Sequence, residues 1–274
     1  MENGNQTITE AYLFKCGKCQ NVTNQIYKGI RRKDKKTLTF HALSMAINHK
    51  DLGMILFDTG YSDNIYQNGI VSRIYNTLNP ATVNSDDYIT SKLNKYNFKK
   101  EDISKIIISH GHPDHIGGLK FFPNTNLILT KDVYKSMKSA NLKELVFKNM
   151  VKGFKNKVEI LENKVDDNFL SKYFDKVYDI FKDKSIYAIG LEGHSKGQIG
   201  IYIPDLKLFV GSDSCWGEEF LHTYQNMKLI PRLVQHNFKE YVDTICRINK
   251  FKDENPNIKV IFSHSDFTEG KYEG

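Results

Sequence analysis

The sequence predicts an α/β fold with sheet in the middle and helices outside. Strand-like and helix-like runs alternate along the chain in two similar halves, the pattern of a layered α/β protein. Histidine and aspartate residues stand just beyond several strand-like runs, where such folds gather functional groups. With 274 residues and 40% hydrophobic content the chain has material for a substantial core, and a single domain over residues 1–274 is expected.

Taken in order, the apolar runs Ala11 to Lys15, Leu38 to Ile47 and Met54 to Phe57 read as strands. A helix is expected from about Asp86 to Tyr96 behind the cap Ser85. Strands follow at Ile106 to Ser109 and Leu127 to Leu129. Helical stretches are expected across Lys131 to Lys155 and near Asn168 to Phe181, within a lysine-rich segment that covers the active face. The second half offers strands at Ile186 to Ile189, Ile199 to Ile203 and Leu208 to Val210, then a helix Phe238 to Phe251 leading into strand Ile258 to Phe262.

The formal net charge of +7 draws on Lys28, Arg31, Arg32, Lys33, Lys35 and Lys36, which lie between two strand-like runs and are expected to form a solvated loop. Guidance of an anionic substrate is the alternative, whereas the absence of interleaved aromatic residues argues against nucleic acid. The start, Met1 to Gln6, carries neither a basic cluster nor an apolar stretch, and no apolar run reaches the roughly 18 to 20 residues of a membrane helix. A soluble, cytoplasmic protein with a small-molecule substrate and no membrane partner is expected. Four cysteines are too few for a disulfide framework. Cys16 and Cys19 are expected in a structural hairpin, and Cys246 as a buried thiol in an apolar helix.

The most informative run is Ser109-His110-Gly111-His112-Pro113-Asp114-His115, placed directly after Ile106-Ile107-Ile108. A strand breaking into a tight turn aims His110 and His112 the same way, while Asp114 and His115 swing to a neighbouring point. One short loop can thus serve two adjacent ions, and imidazole with carboxylate suits zinc, manganese or iron. Three later strand ends add candidates: His194 after Ile186 to Gly190, Asp213 after Leu208 to Gly211, and His264 after Ile258 to Phe262. Asp58, in Phe57-Asp58-Thr59-Gly60, is read either as a carboxylate orienting a ligating imidazole or as an Asx-type turn. His41, His49, His222 and His236 end no strand beside another ligand and are expected to be ordinary surface or core histidines.

At this point the chain resembles the metallo-β-lactamase superfamily, whose His-x-His-x-Asp-His pattern, then a distant His, Asp and His, is met in order. Leu56-Phe57-Asp58-Thr59-Gly60, Gly117-Gly118 and Gly193-His194-Ser195-Lys196-Gly197 look like its other signatures. The resemblance implies an αββα sandwich. It implies one ion on His110, His112 and His194, another on Asp114, His115 and His264, and Asp213 bridging them. Two divalent ions, zinc first with manganese or iron as alternatives, would share a hydroxide, so that no serine or cysteine nucleophile is needed. Asp114 is the carboxylate on which turnover is expected to depend.

Within the superfamily the chain is similar to the N-acyl homoserine lactonase group, which implies a hydrolase opening a lactone or ester. One departure stands out: that group has a tyrosine three residues past the bridging aspartate, and this chain has Trp216, with Tyr61 or Tyr224 as substitutes. A phosphodiesterase or ribonuclease on the same ions is the alternative enzyme, and a non-catalytic metal-binding sensor the alternative of another class. The apolar residues between Trp216 and His236 are expected to line the mouth of the site or to pack a helix on the sheet.

Overall fold

The computed structural model describes residues 6–152 and 157–273. Strands β1 (Ile8–Val22), β2 (Thr37–His49), β3 (Gly53–Phe57), β4 (Ala81–Thr82), β5 (Ile103–Ile107), β6 (Asn126–Thr130) and β7 (Val158–Leu161) belong to one sheet. Strands β8 (Val177–Asp179), β9 (Tyr187–Gly190), β10 (Ile199–Ile203), β11 (Leu208–Val210) and β12 (Lys259–Ile261) form the second, and β13 (Gly270–Lys271) returns to the edge of the first. The orders are β13-β1-β2-β3-β5-β6-β7, with β4 also on β1, and β12-β11-β10-β9-β8.

The two-residue period of each strand assigns its side chains to two different cores. Ile55, Phe57, Ile107 and Ile128 face Ala188, Ile199, Ile201 and Val210 of the other sheet. Their neighbours Met54, Leu56, Ile106, Leu127 and Leu129 face outward onto Ile89 and Leu93 of the helix Ile89–Asn94 and Val133 and Met137 of the helix Lys131–Ser139. The outer face of the second sheet, with Ile189, Phe209 and Val260, meets Tyr241, Ile245, Ile248 and Phe251 of the helix Phe238–Glu254. Helix, sheet, sheet and helix are thus stacked in an αββα sandwich, as the resemblance implies.

Several local expectations are corrected. Residues 168–181 are not helical: a single 3-10 turn, Leu170–Lys172, precedes β8. Leu170, Phe174 and Val177 do have helical spacing and are buried, but Val177, Tyr178 and Asp179 pair with Ile189, Ala188 and Tyr187 of β9, and the ladder wins. The stretch from Lys131 breaks at Ala140 (φ 48°) into the helix Lys131–Ser139, the turn Leu142–Glu144 and the helix Lys148–Val151, and the expected helical residues 153–155 lie outside the described residues. The cap near residue 85 is Asn84, whose capping box with Asp87 opens a turn ahead of the helix Ile89–Asn94. Cys16 and Cys19 do sit on an antiparallel hairpin, the β1–β2 pair, within strand β1 rather than at its turn, flanking Gly17 (φ 87°) where the register shifts. Cys246 is exposed, because it sits one residue past the buried stripe of Tyr241, Ile245 and Ile248 and so turns outward. The segment 28–36 is largely exposed as expected, and among the described residues no helix is long and apolar enough to cross a membrane.

Candidate metal centre

Four strand ends converge on one edge of the sandwich. β5 runs parallel to β3, and beyond it Ser109 leads into His110 to Pro113 and the one-turn helix Pro113–Ile116. The first sheet is tied to the second at this edge by Ile199 N–H donating to Ser109 O at 3.1 Å. His194 follows β9 on a loop pinned by two backbone bonds, His236 N to His194 O (3.0 Å) and Asn237 N to Gly193 O (2.9 Å). Asp213 and His264 follow the parallel pair β11 and β12, whose extensions are joined by Ser263 N to Ser212 O at 3.0 Å.

The structure brings all seven predicted side chains together, each of them buried. One atom from each of His110, His112, His194 and Asp213 lies within 4.8 Å of the others, and so does one from each of Asp114, Asp213 and His264. Asp213 belongs to both groups. His115 stands beside the second, its Nε2 3.2 Å from Asp213 Oδ1 and 3.6 Å from Asp114 Oδ2. His194 Nε2 and His112 Nδ1 face each other at 3.0 Å, and His264 Nε2 lies 3.1 Å from Asp213 Oδ2.

A buried polar atom ordinarily has a hydrogen-bond partner. Here His110 Nε2, His115 Nε2 and Asp213 Oδ1 are buried without one. Inward-facing nitrogens and a carboxylate oxygen left unsatisfied together are what a cation would satisfy, so the residues fit divalent metal.

The two halves of the cluster carry different charge. Burial, reinforced by the neighbouring imidazoles His115 and His112, holds His110 well below the usual histidine range. Burial likewise lowers His194 and pushes His112 down to about 3. Burial thus favours the neutral, ligating form of all three rings. On the other side burial disfavours charge but the carboxylates outweigh it: Asp213 and Asp114 lift His264 to about 8, and with Asp58 they hold His115 well above its ordinary value. In return, against the cost of burial, His264 and His115 keep Asp213 well below the carboxylate range, and His115 lowers Asp114.

Four of the five rings are oriented from behind. Asp58 Oδ2 lies 2.7 Å from His115 Nδ1, which favours the orienting role over the simple turn. Ser109 Oγ donates to Asp58 Oδ2 (2.6 Å) and lies 3.0 Å from His110 Nδ1. The backbone carbonyl of His41 lies 2.7 Å from His264 Nδ1, and Gln235 Oε1 2.8 Å from His194 Nδ1. Ser109 and Gln235 carry no sequence signal for these roles, since a serine or glutamine at such a distance marks no motif.

Around the cluster, Phe40 packs against His264 (5.5 Å between centroids), Trp216 (6.0 Å) and Phe220 (6.2 Å), so that Trp216 contributes to an aromatic wall. Of the two candidate tyrosines, Tyr224 approaches Cys246 (3.7 Å) away from the site. Tyr61 is buried, bonded to Tyr75 OH at 3.1 Å, and its phenol is raised by burial and by the Asp114 carboxylate. Cys215 is buried and its thiol donates to Gly217 O, outside both groups. His49 pairs with Asp183 and His236 with Glu144, as ordinary structural histidines do.

A family model described as Anti-Pycsar protein Apyc1 matches residues 60–245, well over half of the sequence. The chain belongs to the Apyc1 family. Curated relatives overlap it over short stretches: a cytochrome P450 monooxygenase mpaDE of Penicillium roqueforti is 30% identical over 141 residues, covering 48% of the chain. Metallo-beta-lactamase domain-containing protein 1 of Xenopus laevis is 28% identical over 87 residues, which is 32% of the chain and 36% of that protein. The match to the Penicillium protein spans only 16% of that protein's length.

Solved structures superpose along nearly the whole Apyc1-family chain. An N-acyl homoserine lactone hydrolase with N-hexanoyl-L-homoserine at its metal centre gives a TM-score of 0.69 at 17% identity, covering 95% of this chain and 94% of that one. A probable metal-dependent hydrolase from Staphylococcus aureus gives 0.69 at 14% identity over 97% and 92%, and the dizinc lactonase AidC 0.62 at 16% over 96% and 92%. The fold of this Apyc1-family member is therefore that of the metallo-β-lactamase superfamily.

Proposed function

We propose that this Apyc1-family chain is a hydrolase dependent on two divalent ions, zinc in first place, that cleaves an ester-type bond. The carrying observation is the convergence of five imidazoles and two carboxylates from four strand ends, with buried ligand atoms left unsatisfied. In this reading His110, His112 and His194 hold one ion, Asp114, His115 and His264 the other, and Asp213 reaches both. Ions bound there supply Lewis acidity toward the substrate oxygen and a water acidified toward neutrality. The chain contributes the rest. Its orienting groups turn the free nitrogens of His110, His115, His194 and His264 inward, its burial of the cluster excludes bulk water, and its aromatic wall shapes the approach.

Two ester chemistries compete, a lactone or carboxylic ester and a phosphodiester. The fold shared with lactonases supports the first. The surroundings of His264 favour the second. Lys15 and Lys18 lie near His41, whose carbonyl orients His264, and although Lys15 is also paired with Asp266 (3.3 Å) they offer cationic groups at that rim. A cationic rim helps an anionic phosphodiester and does nothing for a neutral lactone. Trp216 and Phe220, partly buried where they pack on the buried Phe40, would give an aromatic substituent such as a base an apolar surface to meet. As an Apyc1-family member the chain is proposed to act against Pycsar by this chemistry.

The test is a side-by-side assay of the zinc- or manganese-loaded protein on bis(p-nitrophenyl) phosphate and on a panel of N-acyl homoserine lactones. Turnover of the phosphodiester, lost in Asp114→Asn, is expected. Turnover of lactones alone would restore the lactonase reading, and inactivity on both with two ions bound would overturn the hydrolase.

A further inference from the structure

Behind His194 stands a side chain that the proposed chemistry leaves unused. Gln235 is buried (5% exposed) at the end of the short helix Leu229–Val234, where its backbone N–H caps onto Arg232 O at 3.2 Å. Its amide has two ends, and the surroundings decide which points where. Nε2 lies 3.0 Å from the carbonyl of Pro231. A carbonyl only accepts, so the NH2 end must face it and Oε1 is left facing His194. Oε1 is itself only an acceptor and lies 2.8 Å from Nδ1, so Nδ1 must carry the proton. A ligating imidazole is neutral, so with the proton on Nδ1 its Nε2 is bare, and that is the nitrogen turned toward His112 and toward Asp213 Oδ2 at 3.4 Å.

We propose that Gln235 is the positioning residue that fixes His194 in its Nε2-ligating tautomer and orientation. The inference rests on the two-ion reading above and deepens it. It also gives the helix Leu229–Val234 a role: Leu229, Ile230 and Leu233 are 67%, 68% and 73% exposed, so burial of the helix's outer face does little to hold it. Polar ties hold it instead, Lys228 N to Ile26 O (2.7 Å), Lys228 Nζ to Asn24 O (2.6 Å) and Arg232 Nε to Met227 O (2.9 Å). The next residues, His236 and Asn237, clamp the His194 loop through its backbone. Gln235 thereby acts on His194 from a fixed frame, as outer partners of ligating histidines do.

The experiment measures metal affinity by chelator competition, resolving the two ions, on the full chain and on Gln235→Leu and Gln235→Glu. Imidazole 15N spectra of the metal-free proteins report the tautomer. In Gln235→Leu, affinity for one ion is expected to fall about 10- to 100-fold, with the other ion unchanged and the His194 resonances shifting to mixed tautomers. Gln235→Glu keeps the acceptor facing His194 Nδ1, though not the donor to Pro231 O, and is expected to retain the Nδ1-protonated tautomer of His194. Wild-type affinity for both ions in Gln235→Leu would overturn the proposal, as would equal loss of both ions with a lowered melting temperature of the metal-free protein. If Gln235→Leu does not fold, mixed His194 tautomers in metal-free Gln235→Glu, which keeps the acceptor, would overturn it instead. A parent chain that binds fewer than two ions would instead defeat the two-ion reading, which keeps the two failures apart.

Discussion

Asp58 occupies the left-handed backbone region, φ 56°, a conformation that costs a non-glycine residue about 1–3 kcal/mol. Its surroundings hold it there. Its N–H donates to Ile107 O, its carbonyl accepts from Ser44 Oγ at 2.7 Å, and its carboxylate takes Ser109 N at 2.8 Å besides His115. Asparagine tolerates the same backbone, so Asp58→Asn separates shape from charge. Metal affinity is expected to fall about 10- to 100-fold while the melting temperature of the metal-free protein stays within a few degrees. Chelator competition and a thermal scan check this, and unchanged affinity would remove Asp58 from the site.

His264 adds a pH dependence at the same scale. In the metal-free protein burial lowers its pKa, but Asp213 and Asp114 outweigh burial and raise it to about 8, above the unfolded value of about 6.5. The raised value contributes stability that is complete below about pH 6.5 and is lost as pH climbs through about 8. Metal uptake must expel that proton, so apparent affinity should rise with pH across this window. Affinity that is flat between pH 6.5 and 8 would contradict the assignment.

At the scale of elements, the ligand loops depend on close backbone approach. Gly193 has φ 122°, and a Cβ placed there would lie 2.2 Å from the backbone nitrogen of Tyr241, in the helix Phe238–Glu254. Backbone cannot yield as a side-chain tip does. Gly193→Ala is expected to destabilise the protein by about 1–3 kcal/mol and to lower affinity for the ion at His194. Parent-like melting and metal binding would show that the loop and helix are not tightly coupled.

Elements also differ in how much of them the sequence discloses. Strands such as Met54–Phe57 and Ile106–Ile108 are legible because alternate residues enter different cores, and the strand ends then locate all seven clustered side chains. Residues 168–181 mislead because Leu170, Phe174 and Val177 satisfy helical spacing while the chain makes only a 3-10 turn at Leu170–Lys172 and then pairs Val177 to Asp179 with β9. The helix Gly69–Leu78 goes unnoticed because Ile70, Ile74 and Leu78 are exposed rather than core-facing. Gln235 is illegible for another reason. It meets His194 across 41 residues through a single hydrogen bond, a contact that leaves no periodic trace.

At the scale of the molecule, the sandwich is a device for bringing loops together. Parallel strands β3 and β5 in one sheet and β11 and β12 in the other end at the same edge, where folds of this kind gather ligands. The shared core between the sheets, including Phe57, Ile107, Ile201 and Val210, fixes the distance between the His110–His115 loop and the Asp213 and His264 loops. The atoms left unsatisfied at that junction, His110 Nε2, His115 Nε2 and Asp213 Oδ1, are ones that a cation between them would satisfy. The most direct measurement is anomalous diffraction from crystals of the zinc-loaded chain. Two peaks are predicted about 3.5–4 Å apart, one ringed by His110, His112 and His194 and the other by Asp114, His115 and His264, with Asp213 touching both. A single peak, or ions bound elsewhere, would contradict the account.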